Sequence, residues 1–128
     1  MPCDHIVLYG SLRRGEAMFE TLGLGAALDF VSAERIPGVL YDLGDFPGLV
    51  AGDGSVRGEL YRVRDPGVWR QLDEYEEYYP QRPERSLFVR RLVQLANGVD
   101  AWVYFYNRPV IGHRRIASGE WRRRRSAA

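Results

Sequence analysis

Residues 55–78 read SVRGELYRVRDPGVWRQLDEYEEY, and within this one stretch the hydrophobic period changes from two to about 3.6. Val56, Gly58 and Leu60 alternate with Arg57, Glu59 and a run ending at Val63, the pattern of a half-buried strand. A helix is then expected to begin sharply. Asp65 is a good N-cap and Pro66 suits the first helical position; the helix should run to about Tyr78, because Pro80 and Pro83 stop it. Working upstream, residues 30–63 read as short strands separated by Ile36-Pro37-Gly38, by Gly44-Asp45-Phe46-Pro47-Gly48 and by Gly52-Asp53-Gly54. Residues 16–22 can make one or two helical turns before Gly23 and Gly25 break the pattern, and residues 5–9 form a buried strand closed by Gly10. Downstream, residues 88–95 and 101–106 are strands joined by Asn97-Gly98, a strong hairpin signal. Mostly antiparallel strands with one well-marked helix define an α+β domain over residues 1–121, followed by a basic, flexible tail at 122–128.

A chain of 128 residues, 45% hydrophobic, is long enough to bury a real core and too short for two domains of usual size. Its 18 basic and 17 acidic residues nearly cancel, which excludes a disordered polyelectrolyte and a uniformly basic nucleic-acid coat. Cys3 is the single cysteine, so an intrachain disulfide framework and a multi-cysteine zinc site are both ruled out. Every basic residue besides His5 and His113 is arginine; without lysine there is no Schiff-base chemistry, and two histidines make a serine triad improbable. No apolar run approaches the roughly 18 residues of a membrane span, and the N-terminus lacks a basic n-region. A cytoplasmic protein with no membrane or nucleic-acid partner is the expectation; Arg122 to Arg125 read as a solvated tail. Trp69 and Trp102 are expected in the core, and His113 at the surface.

The helix carries four acids, and their angles differ. At about 100° per residue, with Val68 at zero, Tyr75, Leu72 and Trp69 fall at roughly 340°, 40° and 100°, an apolar stripe. Glu77 and Glu74 lie at roughly 180° and 240°, toward solvent, and Asp73 at the margin near about 140°. Glu76 falls at roughly 80°, between Leu72 and Trp69 on the buried side. An ionised carboxylate there must be paired, protonated or set in a wet cleft. Either Glu76 meets a buried arginine, for which Arg90 is a candidate, or it lines a cleft with a raised pKa and serves as general acid or base. The second candidate is Tyr9-Gly10-Ser11-Leu12: a glycine at the end of a buried strand allows a tight turn, and successive N–H groups in such a turn can hold an anion or a developing oxyanion.

Together these segments resemble the γ-glutamylcyclotransferase-like family, which includes the AIG2-like proteins and the γ-glutamylamine cyclotransferases. The resemblance rests on IVLYGSLRRG at 6–15, YDLGDFPGLV at 41–50, VRGELYRV at 56–63, LDEYE at 72–76, AWVYFY at 101–106 and IASGEW at 116–121, six motifs in the family's order. It implies a compact barrel-like sheet with flanking helices and a pocket between the YGSL loop and the LDxxE helix. It also implies that the final acid of that helix motif, Glu76, is catalytic, and that Gly10, Ser11 and Leu12 offer backbone amides to substrate. The implied reaction is intramolecular: the substrate's α-amine attacks its own γ-carbonyl, giving 5-oxoproline and a free amine, with no metal or organic cofactor. The implied partner is a small γ-glutamyl compound. The family often carries Tyr-x-Arg after the helix; here Phe88-Val89-Arg90 stands there, so Phe88 and Arg90 become pocket-supporting positions without the hydroxyl. A non-catalytic small-molecule binding module of the same fold is the other reading. Oligomeric state and the leaving amine are not specified by the sequence.

Overall fold

A computed structural model describes residues 4–122. Cys3 and Arg123 to Arg125 lie outside the described residues. The first strand, β1 (His5–Leu8), shows why the sheet closes around it. Its alternating side chains send Ile6 and Leu8 into one apolar cluster and Val7 into another, and all three are buried. A strand covered on both faces belongs in the interior of a sheet.

Two short helices, α1 (Ala17–Thr21) and α2 (Leu24–Ala27), precede the long strands β2 (Leu28–Asp42) and β3 (Pro47–Val63). Helix α3 (Val68–Tyr75) and a 3₁₀ turn (Pro83–Arg85) lead to β4 (Phe88–Gln94) and β5 (Asp100–Tyr106), and β6 (Arg114–Arg115) ends the order. The six strands form a curled half-barrel in the order β4-β5-β1-β3-β2-β6. β1 runs parallel to β5 and antiparallel to β3, and the remaining pairs are antiparallel. This is the expected mixed α+β architecture. The helices cover one face, where Val68 and Leu72 of α3 meet Ile6, Leu8 and Tyr104; Leu49, Leu60 and Trp121 fill the other. Among the described residues no helix is long and apolar enough to cross a membrane.

Four local expectations are corrected. Residues 28–63 are not several short strands but one long hairpin, with its only full reversal at residues 43–46. The other glycine clusters are absorbed as ladder irregularities: the register jumps from Pro37↔Ser55 to Val39↔Val50, and Gly38 (φ +146°) sits so close to Leu49 and the Val50 carbonyl that a Cβ would collide. Gly23 (φ +64°) interrupts the helical segment as expected, but Gly25 does not: it lies inside α2, which starts directly after Gly23. Helix α3 is shorter than expected at both ends. Asp65 holds Gly67 N–H in a side-chain turn (3.0 Å) before the helix, which begins at Val68. Trp69 and Trp102, expected in the core, are only half-buried and flank the Arg90 guanidinium at 4.4 and 5.1 Å from ring centroid. The Asn97-Gly98 hairpin forms as expected, closed by Leu95 N–H to Val99 O (2.8 Å).

Candidate active site

Helix α3 ends where the site begins. Glu76 caps it, donating its N–H to Leu72 O (2.9 Å). Glu77 then turns left-handed (φ +53°) and donates to Glu74 O (3.2 Å), while Tyr78 N–H reaches back to Asp73 O (2.9 Å). This is a Schellman closure with glutamate in the slot that glycine usually takes. The chain leaves the helix abruptly, and Glu76 lines a cavity of about 140 Å³ at the end of β1.

That cavity is lined by Tyr9, Gly10, Ser11 and Leu12 on one side and by Tyr75, Glu76 and Glu77 on the other; Phe46, Pro47, Phe88 and Tyr104 contribute to its walls. The structure thus brings the two segments of interest together, although 64 residues separate Ser11 from Tyr75, whose hydroxyls lie 3.3 Å apart. The turn after β1 is shaped by Arg13, whose backbone N–H (3.0 Å) and Nε–H (3.2 Å) both donate to Gly10 O. Its Nη2 reaches the carbonyl of Trp121, so the chain's C-terminal segment buttresses the turn. Gly10 is required sterically: a Cβ there would stand 2.7 Å from Pro47 Cγ. With the Gly10 carbonyl turned to Arg13, the N–H groups of Gly10, Ser11 and Leu12 have no acceptor among the described residues. They form a concavity suited to an oxygen anion.

Glu76 has neither an ion pair nor a hydrogen bond to its side chain among the described residues. Burial first, and the neighbouring Asp73 carboxylate second, push its pKa up to about 8. The arginine alternative is settled by geometry: Arg90 Nη2 lies 3.4 Å from Asp73 Oδ2, and Tyr104 donates its hydroxyl to Asp73 Oδ1 at 2.6 Å. Arg90 therefore supports the site from behind α3 and does not line the cavity. Phe88 does line it, its ring among those of Phe46 and Tyr106 (5.9 and 5.4 Å between centroids). Tyr9 donates to Tyr104 O (2.7 Å); burial and then the charge of Glu76 hold its phenol well above the ordinary range. Among the described residues no cluster of three or more His, Cys, Asp or Glu could hold a metal ion.

The sequence reading missed Asp73, Tyr75, Tyr104 and Glu77 as site residues. Asp73 lay at the margin of the helical stripe, where its side was undecided. Glu77 is exposed, as expected, but on a chain that has already left the helix, and nothing in the local pattern marks a left-handed glutamate.

A curled α+β sheet with a cavity between the turn after β1 and the end of α3 is the architecture expected of the γ-glutamylcyclotransferase-like class. Residues 6–123 match the family described as "Gamma-glutamyl cyclotransferase, AIG2-like". The chain is 36% identical over 116 residues to the γ-glutamylcyclotransferase family protein YtfP of Escherichia coli K12, covering 91% of this chain and 94% of that one. It is 33% identical over 108 residues to a γ-L-glutamyl-butirosin B γ-glutamyl cyclotransferase of Niallia circulans, covering 81% and 67%. The solution structure of Escherichia coli ytfP superposes with a TM-score of 0.65 at 35% identity, over 91% of this chain and 95% of that one. A mouse AIG2-like protein shares the fold at a TM-score of 0.66 and 23% identity, over 85% and 81%. The chain belongs to the AIG2-like γ-glutamyl cyclotransferase family.

Proposed function

We propose that this chain is a γ-glutamyl-amine cyclotransferase with Glu76 as its general acid/base. The observation that carries the reading is that one cavity is lined both by a carboxyl with no basic partner and by the Gly10–Leu12 turn, whose N–H groups have no acceptor, among the described residues. Nucleophile and electrophile belong to one substrate, so the protein's task is to fold that substrate and move a proton. The Gly10–Leu12 amides receive its carboxylate or its carbonyl oxygen, and the apolar walls at Phe46 and Phe88 exclude water. Glu76, in its ionised form, takes a proton from the α-ammonium. The freed amine attacks the γ-carbonyl carbon, a C–N bond forms, and the five-membered lactam closes. The original amide C–N bond then breaks as Glu76 returns its proton to the departing nitrogen; the ring nitrogen gives up its second proton to the same amine, which leaves as an ammonium ion, and Glu76 is again ionised. A carboxyl with a pKa of about 8 is close in proton affinity to an ammonium, the condition under which transfer in both directions is efficient. The relatives' names support γ-glutamyl amides as the substrate class.

The test is 5-oxoproline release from a panel of γ-glutamyl dipeptides, glutathione, γ-glutamylamines and ε-(γ-glutamyl)lysine. Turnover of at least one member is expected, rising with pH toward about 8, and falling at least about 100-fold in Glu76→Gln. Turnover that survives the substitution would remove Glu76 from the mechanism. No turnover by a folded protein would favour the binding-module reading, to which the all-carbon wall at Phe88 is compatible.

A further inference from the structure

The cavity's charge is one-sided. Its lining contains Glu76 and Glu77 and no arginine or histidine; the aromatic rings of Tyr75, Phe46, Phe88 and Tyr104 complete the walls. The arginines nearest in sequence beyond α3, Arg82 and Arg85, line a separate groove with Tyr79, Pro80 and Gln81. Carboxylates and ring faces are both cation acceptors. Of the two acids, Glu76 is committed to the reacting nitrogen under the proposed function. Glu77 remains: its side chain is exposed at the mouth, and its carboxylate has no ion-pair or hydrogen-bond partner among the described residues. Its backbone is fixed rather than free, held by Glu77 N–H to Glu74 O (3.2 Å) and Leu87 N–H to Glu77 O (3.0 Å). A non-glycine residue is thus held in a left-handed conformation with its side chain at the cavity mouth.

We infer that Glu77 is a specificity-determining residue that selects γ-glutamyl compounds whose leaving amine carries a further positive charge. The inference rests on the proposed reaction for its placement of the glutamyl half. The glutamyl carboxylate takes the amide turn, the α-ammonium meets Glu76, and the far end of the departing amine passes Glu77 on its way to solvent.

Binding separates this inference from the reaction. In a Glu76→Gln background, which leaves ligands intact, calorimetry compares the mono-γ-glutamyl amide of 1,5-diaminopentane with γ-glutamyl-n-pentylamide, the same chain without the terminal ammonium. The charged compound should bind about tenfold tighter, and adding Glu77→Gln should reduce that preference to about twofold or less. Glu77→Gly, which the left-handed backbone accepts, should do the same and guards against misfolding of the glutamine variant. Equal affinities, or a preference that persists without Glu77, would overturn the inference and leave the reaction untouched. If neither compound binds, the γ-glutamyl reading itself fails and the inference falls with it.

Discussion

Asp73 and Glu76 stand one helical turn apart at the end of α3 and meet opposite surroundings. Behind the helix, Asp73 receives the Tyr104 hydroxyl and the Arg90 guanidinium, which is itself set among Trp69, Trp102 and Tyr78. In front, Glu76 has no side-chain partner among the described residues and lines the cavity. Two carboxyls of nearly equal chemistry are thus given different tasks by what lies within a few ångströms. The paired one is a fixed negative charge, and that charge helps its neighbour hold a proton.

The largest effect is expected from breaking the paired side. Arg90→Ala strands Asp73 in a site only 17% exposed and removes the cation from three rings; urea denaturation should show a loss of about 2–3 kcal/mol. Next comes the unpaired side. Because the folded-state pKa of Glu76 lies above that of the unfolded chain, the folded protein binds more protons between about pH 4.5 and about pH 8, so this group makes stability fall as pH rises through that window. Glu76→Gln removes the dependence. The variant should match the parent near pH 4 and become increasingly the more stable of the two as pH rises to about 8 in thermal or urea melts. Coupling between the two is sharpened by Asp73→Asn, which keeps an acceptor for Tyr104 and deletes the charge: carboxyl NMR or the pH profile of turnover should place the Glu76 titration lower than in the parent. An unchanged titration would make the two acids independent. The smallest effect belongs to Glu77→Gly, which relieves a left-handed side chain at some gain in unfolded-state freedom; calorimetry should show stabilisation of less than about 1 kcal/mol.

This contrast also measures what could be read from the chain. Helical periodicity singled out Glu76 among four acids, because Val68, Leu72 and Tyr75 define a stripe and burial of a charge off that pattern has chemical meaning. The Asn97-Gly98 hairpin and the buried first strand were legible for the same reason: their signals are local. The partner of Asp73 was not. Arg90 reaches it from β4, seventeen residues along, and no helical angle specifies which acid an arginine on another element will choose. The long β2–β3 hairpin was hidden in the opposite way: its glycines look like turns in sequence, but the sheet absorbs them as bulges once both strands pair. Glu77 is exposed, as its helical angle suggests, but it lies past the end of the helix, so periodicity could not show that it lines the cavity.

The brace beneath Gly10 has a consequence for how the protein comes into being. The turn at Gly10 is synthesised well before Trp121, yet Arg13 fixes it against Trp121, and Gly119 receives the Arg57 amide of β3 (2.7 Å). Trp121 is itself buried in the same cluster as Tyr9. A nascent chain therefore carries its amide turn unsupported until these later segments follow, with β1 still lacking β5 on one side. The pocket is begun at the first strand and cannot be finished until residues 118–121 have left the ribosome.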